Sequence, residues 1–514
     1  MKLRWKIVIS FAVVLALIAI VFEHGNLRAR RAVEVYRQEL RARGEKLAIE
    51  ELIPPTPAGP NGAEAFLNGA ARFRDVFTNY PPIMNLVAPG HALAISRLET
   101  LPTAETSDLW PGLLRDVETD EPALSEVRDA LTNQVLTFQI NYQKGVAGLL
   151  PQLAGAKHAM IHLSEATVVA LHRGDANRAW ENLQATGRLV RLYGDEPLEI
   201  CQLVRAAILQ TGLDVTWEAL EQGCWQEGQL AELQSDWESL ELIGVLEASL
   251  EMESAKTSQT LDRARASYVA LAELPTQSGL FGLADDARRL VDDPAGGFKA
   301  MMDRYPRYWR WAARESYEYE LTNMKMLQGG VESVRRARNR KSFSGCPAKY
   351  SVLPWKSFDS SLFDGLYGLG DFPKVDTNSV SRLLHEIENL EVQRHLLITA
   401  IALKRFHLRH GGYPAELREL VPDFLSTLPI DWMDGKPLRY RRNADGTFLL
   451  YSVGEDGVDN GGDPTPTEPG AFQPGNTKSV SWWKARDAVW PSPATAEEVR
   501  DYMESTAKVR GKSR

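Results

Sequence analysis

SVSRLLHEIENLEVQRHLLITAIALKRFHLRHGGYP, residues 379–414, decides how the rest of the chain is read. Leu383, Ile387, Leu390, Leu397 and Ile401 recur at three-, four- and seven-residue steps. That spacing predicts one long helix from about Ser379 to His410 with a buried stripe. Gly411-Gly412 and Pro414 then end it, because glycine accepts the left-handed backbone of a helix stop and proline cannot continue the helix. His407 and His410 fall in the last turn, where positive charge complements the helix dipole.

Upstream, the same grammar fills the centre. Val127, Leu131, Val135, Phe138 and Tyr142 recur at helical steps, as do Ile200, Val204 and Ile208 with Leu203 and Ala207 beside them. Residues 156–192 read as a helix, a Gly174-Asp175 break and a second helix from Ala176. This helical hairpin is faintly similar to a tetratricopeptide unit. Solenoids need about three repeats to be stable and only one copy is visible, so a bundle is expected. The pattern continues through 223–272 and 298–340, whereas 78–122, rich in proline, is expected to be irregular with brief helices.

Downstream, the period changes from helix to strand. Leu438 and Tyr440 alternate on one short strand and Phe448 and Leu450 on the next, with Asn443-Ala444-Asp445-Gly446 as hairpin turn chemistry between them. Around this hairpin stand Leu408-Arg-His-Gly-Gly-Tyr-Pro414, Leu428-Pro-Ile-Asp-Trp-Met-Asp-Gly-Lys-Pro-Leu-Arg-Tyr440 and Tyr451-Ser-Val-Gly-Glu-Asp-Gly-Val-Asp-Asn-Gly-Gly-Asp463. In that order, over about 70 residues, these motifs resemble the head of the major pseudopilin of type II secretion systems. The resemblance implies a small α+β subdomain whose closing loop binds calcium. Asp456, Asp459, Asn460 and Asp463, with the carbonyl of Val453, supply oxygens of the kind calcium takes. An Asx- and glycine-rich turn that needs no metal is the other reading of the same residues.

The N-terminus carries Lys2, Arg4 and Lys6, then an apolar run over Ile7–Phe22 broken only by Ser10. Sixteen helical residues span roughly 24 Å against a hydrocarbon core of roughly 30 Å, with Trp5 and Lys6 placed to make up the difference. No A-x-A cleavage site precedes Glu23, so an uncleaved signal anchor is expected, N-terminus inside, with the bulk of the chain outside the inner membrane. No glycine precedes Ile7 and the first acid after it is Glu23, so prepilin-type processing is not expected. Residues 27–52 read as a charged amphipathic helix through Ala32, Val33, Tyr36 and Leu40, stopped by Pro54, Pro55, Pro57 and Pro60.

The expected fold is therefore mainly α: an N-terminal membrane helix, a helical-hairpin bundle body and a small α+β pseudopilin-like C-terminal subdomain with a β-hairpin. Its segments are 1–26 (anchor), 27–62 (juxtamembrane helix and proline-rich linker), 63–341 (body), 342–378 (irregular linker), 379–463 (subdomain) and 464–514 (a solvated tail). The layout resembles large uncharacterised envelope proteins of planctomycete and verrucomicrobial bacteria, which implies a setting and no activity.

A net charge of −9 disfavours nucleic acid, whose phosphates need a concentrated basic face. Cys201, Cys224 and Cys346 form no CxxC pair and read as buried thiols, with one disulfide as the alternative. His158 and His162 have i, i+4 spacing but lack the H-E-x-x-H glutamate, so exposed or capping histidines are expected there, as for His172. Glu391 and His395 read as a surface ion pair. No nucleophile elbow or phosphate loop is present. Arg304, Arg307, Arg310 and Arg314, interleaved with Tyr305, Tyr308, Trp309 and Trp311, could meet anionic lipid, polysaccharide or, were the domain cytoplasmic, nucleic acid; a solvated helix with aromatics in the core is the plainer reading, as for Arg335–Lys341. Together these features predict a membrane-anchored, non-enzymatic scaffold or interaction protein. The alternatives are an accessory component of a type II secretion-like apparatus, with secretion-system proteins as partners, and an envelope enzyme with a dispersed site.

Overall fold

The computed structural model describes residues 23–73, 110–133, 135–142, 152–267, 291–294, 296, 298, 311–344, 378–444, 446–465 and 485–489. The apolar run 7–22, most of the arginine- and aromatic-rich stretch, and Cys346 lie outside them, as does most of the expected linker 342–378. Among the described residues no helix is long and apolar enough to cross a membrane.

The chain is mainly helical. Helix α1 (23–42) and the short α2 (Ile49–Leu52) and α3 (Ala63–Ala70) lead into α4 (Trp110–Asn133), α5 (Gln152–His172), α6 (Ala176–Leu189) and α7 (Glu199–Glu221). Then come α8 (Glu227–Glu238), α9 (Ile243–Ala266), a π turn at Trp311–Glu315, α10 (Ser316–Arg340) and α11 (Asn378–His410). The expected hairpin is α5–α6: Gly174 sits at φ +74°, and Asp175 caps α6 by accepting the Arg178 N–H at 3.0 Å.

Helix α11 packs on α7 and α8, and α10 packs on α9. Leu383, Ile387, Leu390, Leu397 and Ile401 are all buried, as the spacing predicts. So are Val392, Leu396, Ala400, Ala402 and Leu403, so the middle of α11 is enclosed on every side. One apolar core runs from Ile49 through the helices to Leu420, Trp432, Leu450 and Ala488. The C-terminal subdomain thus shares its core with the body.

Several expectations are corrected. Val135 does not continue α4: the chain is extended from there, its N–H donating to Pro60 O and its C=O accepting from Gly62, both at 2.9 Å. β-branched and aromatic residues suit that extended pairing, and the partner overrides the helical spacing. The same bonds pin the end of the proline-rich segment to the body. Pro122 lies inside α4 rather than in an irregular stretch; Leu113, Val117, Leu124 and Val127, buried on both sides of it, hold the helix through the break. Ile200 is exposed, because α7 buries the face carrying Cys201, Ile208, Leu209 and Leu213 instead. Cys224 is exposed and both it and Cys201 are free thiols.

Helix α1 is amphipathic as expected but ends at residue 42, where Gly44 takes φ +86°, instead of running to Leu52, and it is docked, not free. Val33 and Leu40 pack with Met324 of α10, and Arg37 and Arg265 both pair with the fully buried Glu320. Glu45 receives two bonds from Arg335 at 2.6 and 2.8 Å, and Arg335 also reaches Glu247 and Glu251. That cation holds three segments together and is not a solvated basic face.

Candidate functional site: the C-terminal loop and its frame

The frame starts where α11 ends. Tyr440 donates its hydroxyl hydrogen to Pro414 O at 2.7 Å and Arg442 reaches Tyr413 O at 3.1 Å, tying the glycine-tyrosine-proline turn to strand β1 (Arg439–Arg442). β1 pairs antiparallel with β2 (Phe448–Ser452), Tyr440 opposite Leu450, as the hairpin reading predicts. A third strand, β3 (Ala488–Val489), pairs with β2. It lies in the expected tail, where buried Ala485, Ala488 and Val489 place part of that tail in the core. Nothing in the spacing of 464–514 signals a strand of two residues.

Two buried carboxylates organise the loop between β2 and β3. Asp431, fully buried, accepts from Val453 N at 2.9 Å, Met433 N at 3.0 Å, Ser452 Oγ at 2.8 Å and Arg439 Nη1 at 2.8 Å. Burial leaves its carboxyl above the usual range, although these donors and Arg439 pull it back down. Arg439 is itself held charged, and every contact of Asp431 is a donor, so the carboxylate is the form this geometry requires. Asp487, equally buried, accepts the N–H groups of Asn460, Gly462 and Asp463 at 3.1, 2.8 and 2.9 Å. Gly462 is required there: at φ +83°, a Cβ would meet Leu449 Cδ2 at 2.5 Å.

The residues expected to bind calcium lie together on this loop. Asp456 accepts from Val458 N at 2.8 Å, and Asp463 from Thr465 N at 3.0 Å. Asp459 accepts from Gly461 N and the Tyr451 hydroxyl, both at 3.0 Å, with Arg439 Nε 3.5 Å away. The Gly461 and Thr465 N–H bonds hold Asp459 and Asp463 below the usual carboxylate range. Asn460 is exposed, its side chain donating to Val458 O at 3.1 Å, and Val453 is buried against Asp431. The donor chemistry suits calcium and the exposed carboxylates face solvent, but Arg439 puts a positive charge beside Asp459. Among the described residues no three acidic, histidine or cysteine side chains converge as metal ligands. The motif positions Asp431, Asp434 and Arg439 carry more of the loop's order than the expected ligands do. Arg439 bridges Asp431 at 2.8 Å and Asp434 at 2.5 Å.

The module is keyed into α11. Trp432 Nε1 donates to His395 Nε2 at 3.0 Å, and Phe343, just beyond α10, donates its N–H to Trp432 O at 2.6 Å. Glu391 is buried, correcting the surface reading. Burial opposes its charge, but Arg394, bonded at 2.6 and 2.9 Å, prevails and holds its carboxyl down at about 2. His395 Nε2 also lies 3.2 Å from Glu391 Oε1, so the ring links Trp432 to the Glu391–Arg394 pair.

Two other polar clusters lie within the body. His162 is buried, not exposed, with Nδ1 3.3 Å from both Asp120 and Glu165 and Phe73 stacked on its ring at 4.4 Å. His158 is half-buried and His172 exposed. On α7, Glu218 is buried with neither oxygen hydrogen-bonded among the described residues, one turn from Asp214. Burial pushes both carboxyls up, Asp214 to about 7.

No family model matches the chain, and neither a curated protein nor a solved structure is detectably similar to it.

Proposed function

We propose that this chain is a membrane-anchored, non-enzymatic scaffold or interaction protein of the cell envelope, with a pseudopilin-like C-terminal module that presents an acidic, calcium-responsive loop. One observation carries the reading: the module is built onto α11, the enclosed helix of the body, so the loop is displayed on a rigid support. The buried charges support it as well. Glu320, Glu45, Glu391, Asp431 and Asp487 each clamp one segment to another through arginines or backbone N–H groups, which is structural work. The anchor rests on the apolar run 7–22 and its basic flank.

Calcium at Asp456, Asp459, Asn460, Asp463 and the Val453 carbonyl belongs to the same proposal. The test is thermal unfolding of the full chain with calcium or chelator, beside an Asp456→Ala/Asp459→Ala variant. A ligand at 100 times its dissociation constant adds about 2.7 kcal/mol. A calcium-dependent rise that the variant loses supports the loop as a calcium site; an unchanged wild-type midpoint removes calcium from the proposal.

The second reading, an accessory component of a type II secretion-like apparatus, is favoured by the motif order over 408–463. Co-purification of the full chain with pseudopilins, with and without calcium, separates the two. Specific capture selects the apparatus, and its failure in both conditions leaves the scaffold.

A further inference from the structure

Arg314 is far in sequence from Arg28, Arg30 and Arg31, and the fold brings it to the same helix. The Arg314 guanidinium lies against the first turn of α1, where a methyl group on Gly25 would meet its Nη1 at 3.4 Å. This is the turn that directly follows the apolar run ending at Phe22. Arg28, Arg30 and Arg31 are exposed, as is Leu27 at 45 %, while Asn26, Ala29 and Val33 on the opposite face are buried. The acids nearby are Glu23, which accepts from Asn26; Glu34, 3.7 Å from Arg37; and Glu318, bonded to Arg314 at 2.8 Å. That leaves the outward face of α1 basic.

Helix geometry sets the distance. At a rise of 1.5 Å per residue, Arg28 to Arg31 lie about 8–12 Å along α1 from its first described residue, Glu23, within reach of phospholipid headgroups for a side chain of arginine's length. Any tilt of α1 toward the bilayer carries the body with it, because α1 is docked from Asn26 onward through Val33, Leu40 and the buried Glu320. We infer that Leu27, Arg28, Arg30 and Arg31 form a surface for anionic phospholipid that holds the helical body against the bilayer at the root of the anchor. This rests on the anchor proposed above and adds the lipid class and the face that meets it.

The test uses the full chain in vesicles of phosphatidylcholine alone or with about one-third phosphatidylglycerol. An environment-sensitive probe on Leu27→Cys is read by headgroup-attached quenchers, with the labelled native protein correcting for its own cysteines, Cys224 and Cys346 included. The expected result is stronger quenching in the anionic vesicles, lost at about 0.5 M salt. It weakens by on the order of fivefold for each arginine changed to glutamine, as the usual worth of one basic residue at such a surface dictates. The salt series on the unchanged arginines guards against a variant that misfolds. Equal quenching in both vesicles, insensitive to salt and to R28Q/R30Q/R31Q, overturns the inference while leaving the anchor standing. A chain retained by neither vesicle overturns the anchor and the inference with it, and bulk retention tells the two failures apart.

Discussion

Asp487 shows how much one side chain holds in this protein. Its carboxylate accepts three loop N–H groups. Removing it leaves buried donors without a partner, at about 1–3 kcal/mol each before relaxation. Asp487→Ala should therefore lower the urea-unfolding free energy of the full chain by about 2–4 kcal/mol. Asp456→Ala, on the exposed turn, should change it by less than about 1 kcal/mol. Equal effects would mean that the loop is not hung from Asp487. A second residue-scale test concerns pH. Glu218 has its carboxyl raised by burial, so the unfolded chain ionises it first. Its stabilising contribution is whole below the ordinary carboxylate range and is lost as pH rises through the raised value. Asp214, raised to about 7, acts in the same direction. Glu218→Gln should then raise stability relative to wild type at pH 8 and give no gain at pH 4, read from paired denaturant titrations. Glu391 works oppositely: its carboxyl is held at about 2, so its contribution is present above the ordinary range and is lost only as pH falls towards that value.

At the scale of elements, close approach decides. Gly212 sits in α7 where a Cβ would lie 2.9 Å from Val190 Cγ1 and 3.4 Å from Trp237. Alanine is the better helix former by about 1 kcal/mol, but here the neighbouring helices leave it no room. Gly212→Ala is expected to destabilise by about 1–2 kcal/mol and Gly212→Leu by more, measured by thermal unfolding. A stabilised alanine variant would show that α6 and α8 yield. Much of the element level was legible beforehand: α11, the α5–α6 hairpin with its break at Gly174-Asp175, and the β1–β2 hairpin all follow from local spacing and turn residues. The miss at Val135 has a non-local cause, since residues 60–62 supply its hydrogen-bond partners.

For the whole molecule, α11 joins body and module: Arg394, paired with the buried Glu391, donates to Trp237 O at 3.0 Å, and the next residue, His395, receives the Trp432 N–H. Arg394→Ala strands a buried carboxylate, a loss of about 3–5 kcal/mol. Since the core is continuous from Ile49 to Ala488, body and module should unfold in one calorimetric transition, and the variant should lower that single midpoint. Two separate transitions in the wild type would show the module to be independent of the body.

Composition and spacing by themselves determined that the chain is mainly helical, where α11 runs and stops, and that a small hairpin module follows it. These depend on residues a few positions apart, whose periodicity and turn chemistry act locally. Only the tertiary structure decided that α1 is clamped to the body, that His162 and Glu391 are buried, and that Asp487 anchors the loop. Each of these depends on segments tens to hundreds of residues away packing over it, even where the bonded partner is near, as Arg394 is to Glu391, because burial of a charged side chain is set by what covers it.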